Sequence, residues 1–321
     1  MDRRHFIAAG AASAAWALSR PALAQAQQFS IATGTTGAVY YPLGGAMANI
    51  LSKKVPGWAV TAEATAGSVA NMHMIRDGKA EMALTQCDTA YDAIKGLDKF
   101  VGKPVESRTL CVVYPNLVHF VTMEGTGINK LSDIKGKRIS TSAPVSGSEV
   151  MAQRAMEELG LKNTDIKRER LAPAESTNAM KDGKLDGYFF NGGPPVAAIT
   201  DLAATQGIKI KLIDTAELVP ALNKKYGPVF SASKIKAKSY PNQNEDVPVI
   251  AIWNILIVPA KMPDAQAYTI IKTLWENHPD LLATHKATTD MVAENQKTAN
   301  SSVPFHPGAL KYFAEKGIKL S

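Results

Sequence analysis

Two hydrophobic periods take turns along this chain. In "FSIATGTTGAVYYPLGGAMANILSKK" (29–54) a short apolar run of the strand kind leads into a turn of glycine and threonine. Leu43, Met47, Ile50 and Leu51 then recur at helical spacing as one buried stripe. The alternation continues. "WAVTAEA" reads as a strand, "SVANMHMIRDG" as a short helix stopped by glycine, "EMALTQ" as a buried strand, and "DTAYDAIKG" as a helix opening on Asp88. "RTLCVVYPNLVHFVTM" is long for a single strand, and Pro115 is expected to interrupt it. The series then restarts with strand "KRISTS", helix "SEVMAQRAMEELG", strand "IKRERLA", helix "AESTNAMKDG", strand "KLDGYFFN", helix "PPVAAITDLAATQ" and strand "IKIKLID". Residues 215–247 read as a helix plus irregular connection. "VPVIAIWNILIVP" is again a long apolar strand, and two helices, "DAQAYTIIKTLWENHPDLLAT" and "HPGALKYFAEKG", finish the chain.

This pattern predicts an α/β fold with largely parallel sheets. The two long strands flank a self-contained middle section, so the chain is expected to cross from one lobe to another and return. Lobe I would be residues 25–122 plus 250–321, and lobe II 123–249. An internal echo fits two similar halves. "MIRDGKAEMALTQ" (74–86) lines up with "AMKDGKLDGYFFN" (179–191), each ending in a carboxamide, and "FSIATGTTG" resembles "KRISTSAPVSG". In an open α/β sheet, ligands bind beyond the carboxyl ends of the strands. The segments "TGTTG", "TQCD", "SAPVSGS" and "FFNGGPP" should therefore face one cleft between the lobes.

The glycine turn at 34–37 lacks the GxxxxGK[ST] of a P-loop and the GxGxxG of a dinucleotide turn. What remains is a helix N-terminus whose free N–H groups favour an anion, with Gly34 and Gly37 allowing close approach and Thr35 and Thr36 adding hydroxyls. "PVSGSE" offers Ser146, Gly147 and Ser148 at a second such turn. Tyr40, Tyr41, Phe189 and Phe190 could wall the aliphatic part of a ligand, though alternation along a strand makes one of the two phenylalanines core. Pro194 or Pro195 fits the first turn of the next helix. Ser146 is the one candidate nucleophile, but it lies outside a GxSxG elbow and no histidine or acid has a placed role. Asp88 and Glu149 are read as helix caps. No cofactor and no metal are expected, since the histidines are scattered and no CxxC or HExxH occurs.

The N-terminus places the chain. "MDRRHFIAAGAASAAWALSRPALAQAQ" has a basic start, an apolar stretch from Phe6 to Leu18 too short to span a bilayer, and a small-x-small triplet at Ala22–Ala24. It reads as a secretory signal peptide over residues 1–24, and its arginine pair resembles a twin-arginine signal. Export to the periplasm follows. Without that leader, which carries three arginines and one aspartate, the formal charge drops from +7 to +5. The lysines are scattered, which suits a small anion or simple solubility rather than nucleic acid. Cys87 and Cys111 could pair after export, yet both sit in apolar runs where buried free thiols are common.

Five stretches, "IATGTTGAVYYPLGG", "ATAGSVANMHMIRDGKAEMALTQCD", "LSDIKGKRISTSAPVSGS", "LDGYFFNGGPPVAAI" and "VPVIAIWNILIVPAKMPD", together resemble the TAXI group of solute-binding proteins, which serve tripartite ATP-independent periplasmic (TRAP) transporters. The resemblance implies a two-lobed periplasmic binding fold of the type II kind, each lobe an α/β sandwich joined to the other by hinge strands. It also implies a monomeric receptor for a small carboxylate, such as glutamate, a 2-oxo acid or a dicarboxylate, delivered to the membrane permease subunits of a TRAP transporter. The ligand residues it implies are Gly34, Thr35, Thr36 and Tyr40, then Gly67, Ser68, Asn71 and Gln86. In the second lobe they are Ser146, Gly147 and Ser148, then Phe189, Phe190 and Asn191. Ser142 and Val145 stand where that group commonly has glycine, and the carboxylate-clamping arginine of the other large TRAP receptor group has no evident counterpart. Alternatives are an aromatic- or sulfonate-binding protein of an ATP-driven importer, an exported cofactor-dependent enzyme, or a receptor for a signalling kinase.

Overall fold

The computed structural model describes residues 26–320, so the expected leader, with its arginine pair and its cleavage point after Ala24, lies outside the described residues. The chain runs through β1 (Gln27–Ala32), α1 (Tyr40–Lys54), β2 (Trp58–Glu63), α2 (Ser68–Arg76), β3 (Met82–Gln86), α3 (Cys87–Lys95) and the long β4 (Ser107–Met123). There follow β5 (Arg138–Ser140), α4 (Gly147–Glu158), β6 (Lys167–Glu169), α5 (Pro173–Lys181), β7 (Gly187–Gly192), α6 (Ala197–Ala204) and β8 (Ile210–Leu212). Then come α7 (Val219–Tyr226), β9 (Ser231–Ile235), the second long strand β10 (Val247–Pro259), α8 (Asp264–Glu276), α9 (His278–Thr284) and α10 (Pro307–Glu315).

The strands join in the order β2-β1-β3-β10-β4-β7-β5-β6. Each wing is parallel, and the two wings repeat one another: β2-β1-β3 on one side, β6-β5-β7 on the other. Between them β4 and β10 run antiparallel to each other and to their outer neighbours, so the sheet is mixed rather than largely parallel. β4 carries the chain from wing to wing. Residues 107–114 pair with the C-terminal half of β10, and Leu117–Thr122 pair with β7. The expected lobe boundaries fall within these two strands. Pro115 does not break β4, which is continuous over 17 residues. It pairs with Trp253 of β10, two residues before β4 takes up β7 at Leu117.

Three further expectations are corrected. "DAQAYTIIKTLWENHPDLLAT" divides into α8 and α9 at Asn277, because Pro279 cannot continue a helix but fits the first turn of a new one. Pro194 and Pro195 precede α6, which begins only at Ala197. The irregular connection contains an edge strand, β9, whose "SASKI" has one buried residue, Ile235, and so shows no hydrophobic alternation. Cys87 and Cys111 are both free and buried, and burial pushes the Cys111 thiol up to about 12. Among the described residues no helix is long and apolar enough to cross a membrane.

The core carries one continuous polar chain. The Val196 N–H donates to the Tyr240 hydroxyl (3.2 Å), which lies 2.8 Å from His119 Nε2, while His119 Nδ1 lies 2.8 Å from the Leu117 carbonyl. A carbonyl only accepts, so Nδ1 carries the proton and Nε2 accepts from Tyr240. Burial lowers the His119 pKa to about 4. In the unfolded chain the imidazole protonates near its ordinary value of about 6.5. The unfolded state therefore binds more protons between about pH 6.5 and 4, and stability falls as the pH drops through that window. This contribution is roughly 3 kcal/mol when complete. We expect the unfolding free energy of His119→Gln, followed by urea denaturation, to lose that share of its pH dependence between pH 6.5 and 4.

Candidate functional site

The cavity between the wings is built from strand ends and the helix starts that follow them. On the first lobe it is lined by Gly34, Thr35 and Tyr40, by Gly67 and Ser68 at the start of α2, and by Gln86 at the end of β3. The second lobe contributes Ser146, Gly147 and Ser148 at the start of α4 and Phe190 and Asn191 of β7. Eleven of the fourteen implied residues thus meet at one cavity. Thr36 instead lines an outer groove, and Asn71 and Phe189 are absent from the lining. Asn71 is a buried brace. Its Nδ2 donates to the Thr33 and Leu84 carbonyls (2.6 and 2.7 Å), and its Oδ1 accepts from the Thr65 hydroxyl. Phe189 packs edge-on against Phe120 in the core, leaving its neighbour Phe190 to the cavity. Tyr41 turns to solvent and cannot wall a ligand.

Gly147 marks a close approach of the lobes. A Cβ there would lie 2.7 Å from Gln86 Nε2 and 2.9 Å from Ser68 Oγ, both on the other lobe. Gly67, at φ 116°, caps α2 in a conformation open only to glycine. The first N–H groups of both helices have no intrahelical acceptor and a partial positive charge. The serines divide in role. Ser148 Oγ accepts from the Asn191 N–H (3.0 Å) and Ser68 Oγ from the Gln86 N–H (3.1 Å), which leaves the hydroxyl hydrogens for other acceptors. Ser146 does not supply a free hydroxyl. It donates to the Ala143 carbonyl (2.7 Å) and accepts from the Glu149 N–H (3.0 Å) as the cap of α4. Across the cleft, Asn191 Nδ2 donates to Gln86 Oε1 (3.0 Å), joining the two carboxamides of the internal echo. Among the described residues no Asp, Glu, Lys, Arg or His lines this cavity.

The turn before α4 is held under strain. Ser142 and Val145 adopt φ of 73° and 56°, the left-handed region that explains why glycine suits both positions. Val145 is fixed from both sides. Its N–H donates to Glu149 Oε2 (3.0 Å), and its carbonyl accepts from the Ala70 N–H of the first lobe (3.1 Å). Glu149 also accepts from Arg168 and Arg170 at 2.7 and 2.5 Å, so it braces the turn rather than merely capping the helix. We expect Val145→Gly to stabilise the protein by about 1 kcal/mol in urea denaturation, since relief of strain outweighs the added chain entropy.

A second correction concerns Asp88, whose carboxylate is part of a buried inter-lobe cluster and not a cap. Arg154 of α4 reaches across to α3 and pairs with Asp88 (2.9 Å) and Asp92, with its guanidinium 4.4 Å from the centre of the Tyr226 ring. Burial raises both carboxyl pKa values against the pull of Arg154, that of Asp92 to about 6. Removing the arginine would strand two buried acids. Arg154→Met should lower the unfolding free energy by about 3–5 kcal/mol. Arg154→Lys should restore little of it, because one ammonium cannot span both partners as the planar fork does.

Sequence reasoning missed Tyr114 and Asn116, which form the cavity floor where β4 changes partner. Their signal was a lone amide within each long apolar strand, Asn116 in "VVYPNLVHF" and Asn254 in "AIWNILI". The two amides meet, with Asn116 Nδ2 donating to Asn254 Oδ1 at 3.0 Å.

The NMT1-like family model matches residues 31–317, which takes in both wings and every segment of the cavity. The chain belongs to the NMT1-like family. Among solved structures, it is similar to a protein of Bordetella bronchiseptica RB50 at 16% identity and a TM-score of 0.50, over 92% of this chain and 83% of that one. It is also similar to the periplasmic aliphatic sulphonate binding protein SsuA of Escherichia coli (13% identity, 92% and 94% covered, TM-score 0.44). A third is the ligand-binding component of an ABC-type import system of Staphylococcus aureus, solved with zinc bound (13%, 91% and 93%, TM-score 0.45). At these identities the likeness speaks to the fold. This NMT1-like chain has the two-lobed periplasmic solute-binding fold.

Proposed function

We propose that this protein is a periplasmic receptor that captures a small carboxylate between its lobes and passes it to the ion-driven permease of a TRAP transporter, as a TAXI-type receptor does. The observation that carries the reading is the meeting of two helix N-termini, α2 from one lobe and α4 from the other, at one cavity that holds no ionisable acid or basic side chain. Such termini supply N–H groups and partial positive charge without an arginine. They suit a single negative charge. Charge-assisted hydrogen bonds contribute roughly 1.5–3 kcal/mol each, so three to five of them, less the loss of freedom on closing, allow micromolar binding.

Closure is the mechanism. The Asn191–Gln86 bond, the Ala70–Val145 bond and the Arg154 cluster each join one lobe to the other. Opening the cleft would break all three, and a ligand that bridges the helix starts biases the balance toward the closed form that a permease would dock. The same donors would also accept a sulfonate, which makes sulfonates the competing ligand class.

Gly147→Ala tests the cradle. The added methyl would meet Gln86 Nε2 and Ser68 Oγ of the opposite lobe, so it hinders closure. We expect affinity for the copurifying small molecule, identified by mass spectrometry, to drop at least about tenfold in calorimetry. Unaltered affinity would remove this cavity as the binding site. A sulfonate as the copurifying species, or uptake that needs ATP in reconstituted vesicles, would favour the importer reading instead.

A further inference from the structure

The floor of the cavity has a polarity that its walls do not. Asn254 Nδ2 donates to the backbone carbonyl of Tyr114 at 3.0 Å. A carbonyl can only accept, so the Asn254 amide has one orientation, and its Oδ1 receives both the Tyr40 hydroxyl and Asn116 Nδ2. That in turn fixes Asn116. One of its two Nδ2 hydrogens goes to Asn254, and its Oδ1 has no hydrogen-bond partner among the described residues, although the residue is 2% exposed and lines the cavity. The Tyr114 hydroxyl, also lining the cavity, is buried and unpartnered too. Asn191 Oδ1 is a third such atom, but Gln86 and Asn191 could exchange donor and acceptor together. Asn116 has no such freedom, because its orientation is anchored to a backbone carbonyl.

A buried acceptor without a donor costs about 1–3 kcal/mol. The N–H groups at the starts of α2 and α4 and the Ser148 hydroxyl supply donors to the same cavity. The cavity thus offers donors for an anion and, at Asn116 Oδ1, an acceptor for something that gives a hydrogen bond. Resting on the carboxylate-receptor reading, we infer that the ligand is a small hydroxy monocarboxylate, its carboxylate at the helix N-termini and its hydroxyl donating to Asn116 Oδ1. A dicarboxylate would set a second anion against the amide oxygen with no cation beside it. A 2-oxo acid has no proton to give Asn116. An amino acid could donate, but it would bury its ammonium where no carboxylate lines the cavity, an unfavourable transfer. The space also favours a short ligand. About 40 Å³ is open to the centre of a water-sized sphere, which at 10–15 Å³ per water corresponds to roughly three waters.

Titration calorimetry on the leader-processed protein with lactate, propanoate, pyruvate, succinate and alanine decides the matter. Lactate should bind about tenfold or more tightly than each of the others, the factor expected when a buried acceptor gains its donor. In Asn116→Leu the advantage of lactate over propanoate should shrink to about threefold or less. Equal binding of lactate and propanoate by the native protein would overturn the hydroxy-acid inference and leave the carboxylate receptor standing. Binding of none of the five would overturn both. If Asn116→Leu fails to fold, the native ligand series still gives the answer.

Discussion

Two helix starts belonging to different lobes can face one another across a few ångströms only if nothing projects between them. Gly147 provides that clearance, and most of the site follows from it. Because the backbone of α4 comes close to Ser68 and Gln86, the cavity is small and its walls are peptide N–H groups and short hydroxyls. With so little room a long cationic side chain has no place. An anion must then be held by dipoles, which favours one negative charge over two.

The closeness has a counterpart in the turn that leads into α4. Val145 stands in a backbone region that a β-branched residue rarely occupies, because its carbonyl is directed to the first lobe while its N–H is held by Glu149. The Arg154 cluster ties the same helix to α3 farther along. One helix therefore carries three kinds of inter-lobe contact: a steric gap, a strained peptide and a buried ion group.

Much of this architecture was legible in the alternation of periods. The run-turn-helix pattern located nearly every element of both wings, and the shared Asp-Gly-Lys turns pointed to the two carboxamides, Gln86 and Asn191, that prove to be in contact. The failures have physical causes. β9 lies at an exposed edge, where side chains need not alternate. Pro115 looked like a break because the sequence does not reveal that β4 stays paired with β10 through it. Asp88 was given the wrong task, since a carboxylate at a helix start is equally consistent with a cap or a distant arginine, and Ser146 lines the cavity with its hydroxyl engaged in capping. Asn116 and Asn254 went unread because each is a single polar residue in an apolar run, and only their cross-strand partnership gives them meaning.

That partnership lies in the two strands that connect the lobes. β4 and β10 are ladder-bonded to each other at the crossing, and no flexible linker intervenes between the halves. The connection between the halves is thus a stretch of sheet. The amide pair that forms the cavity floor bridges these two strands, so a guest seated on Asn116 would touch the axle as well as bridge the jaws.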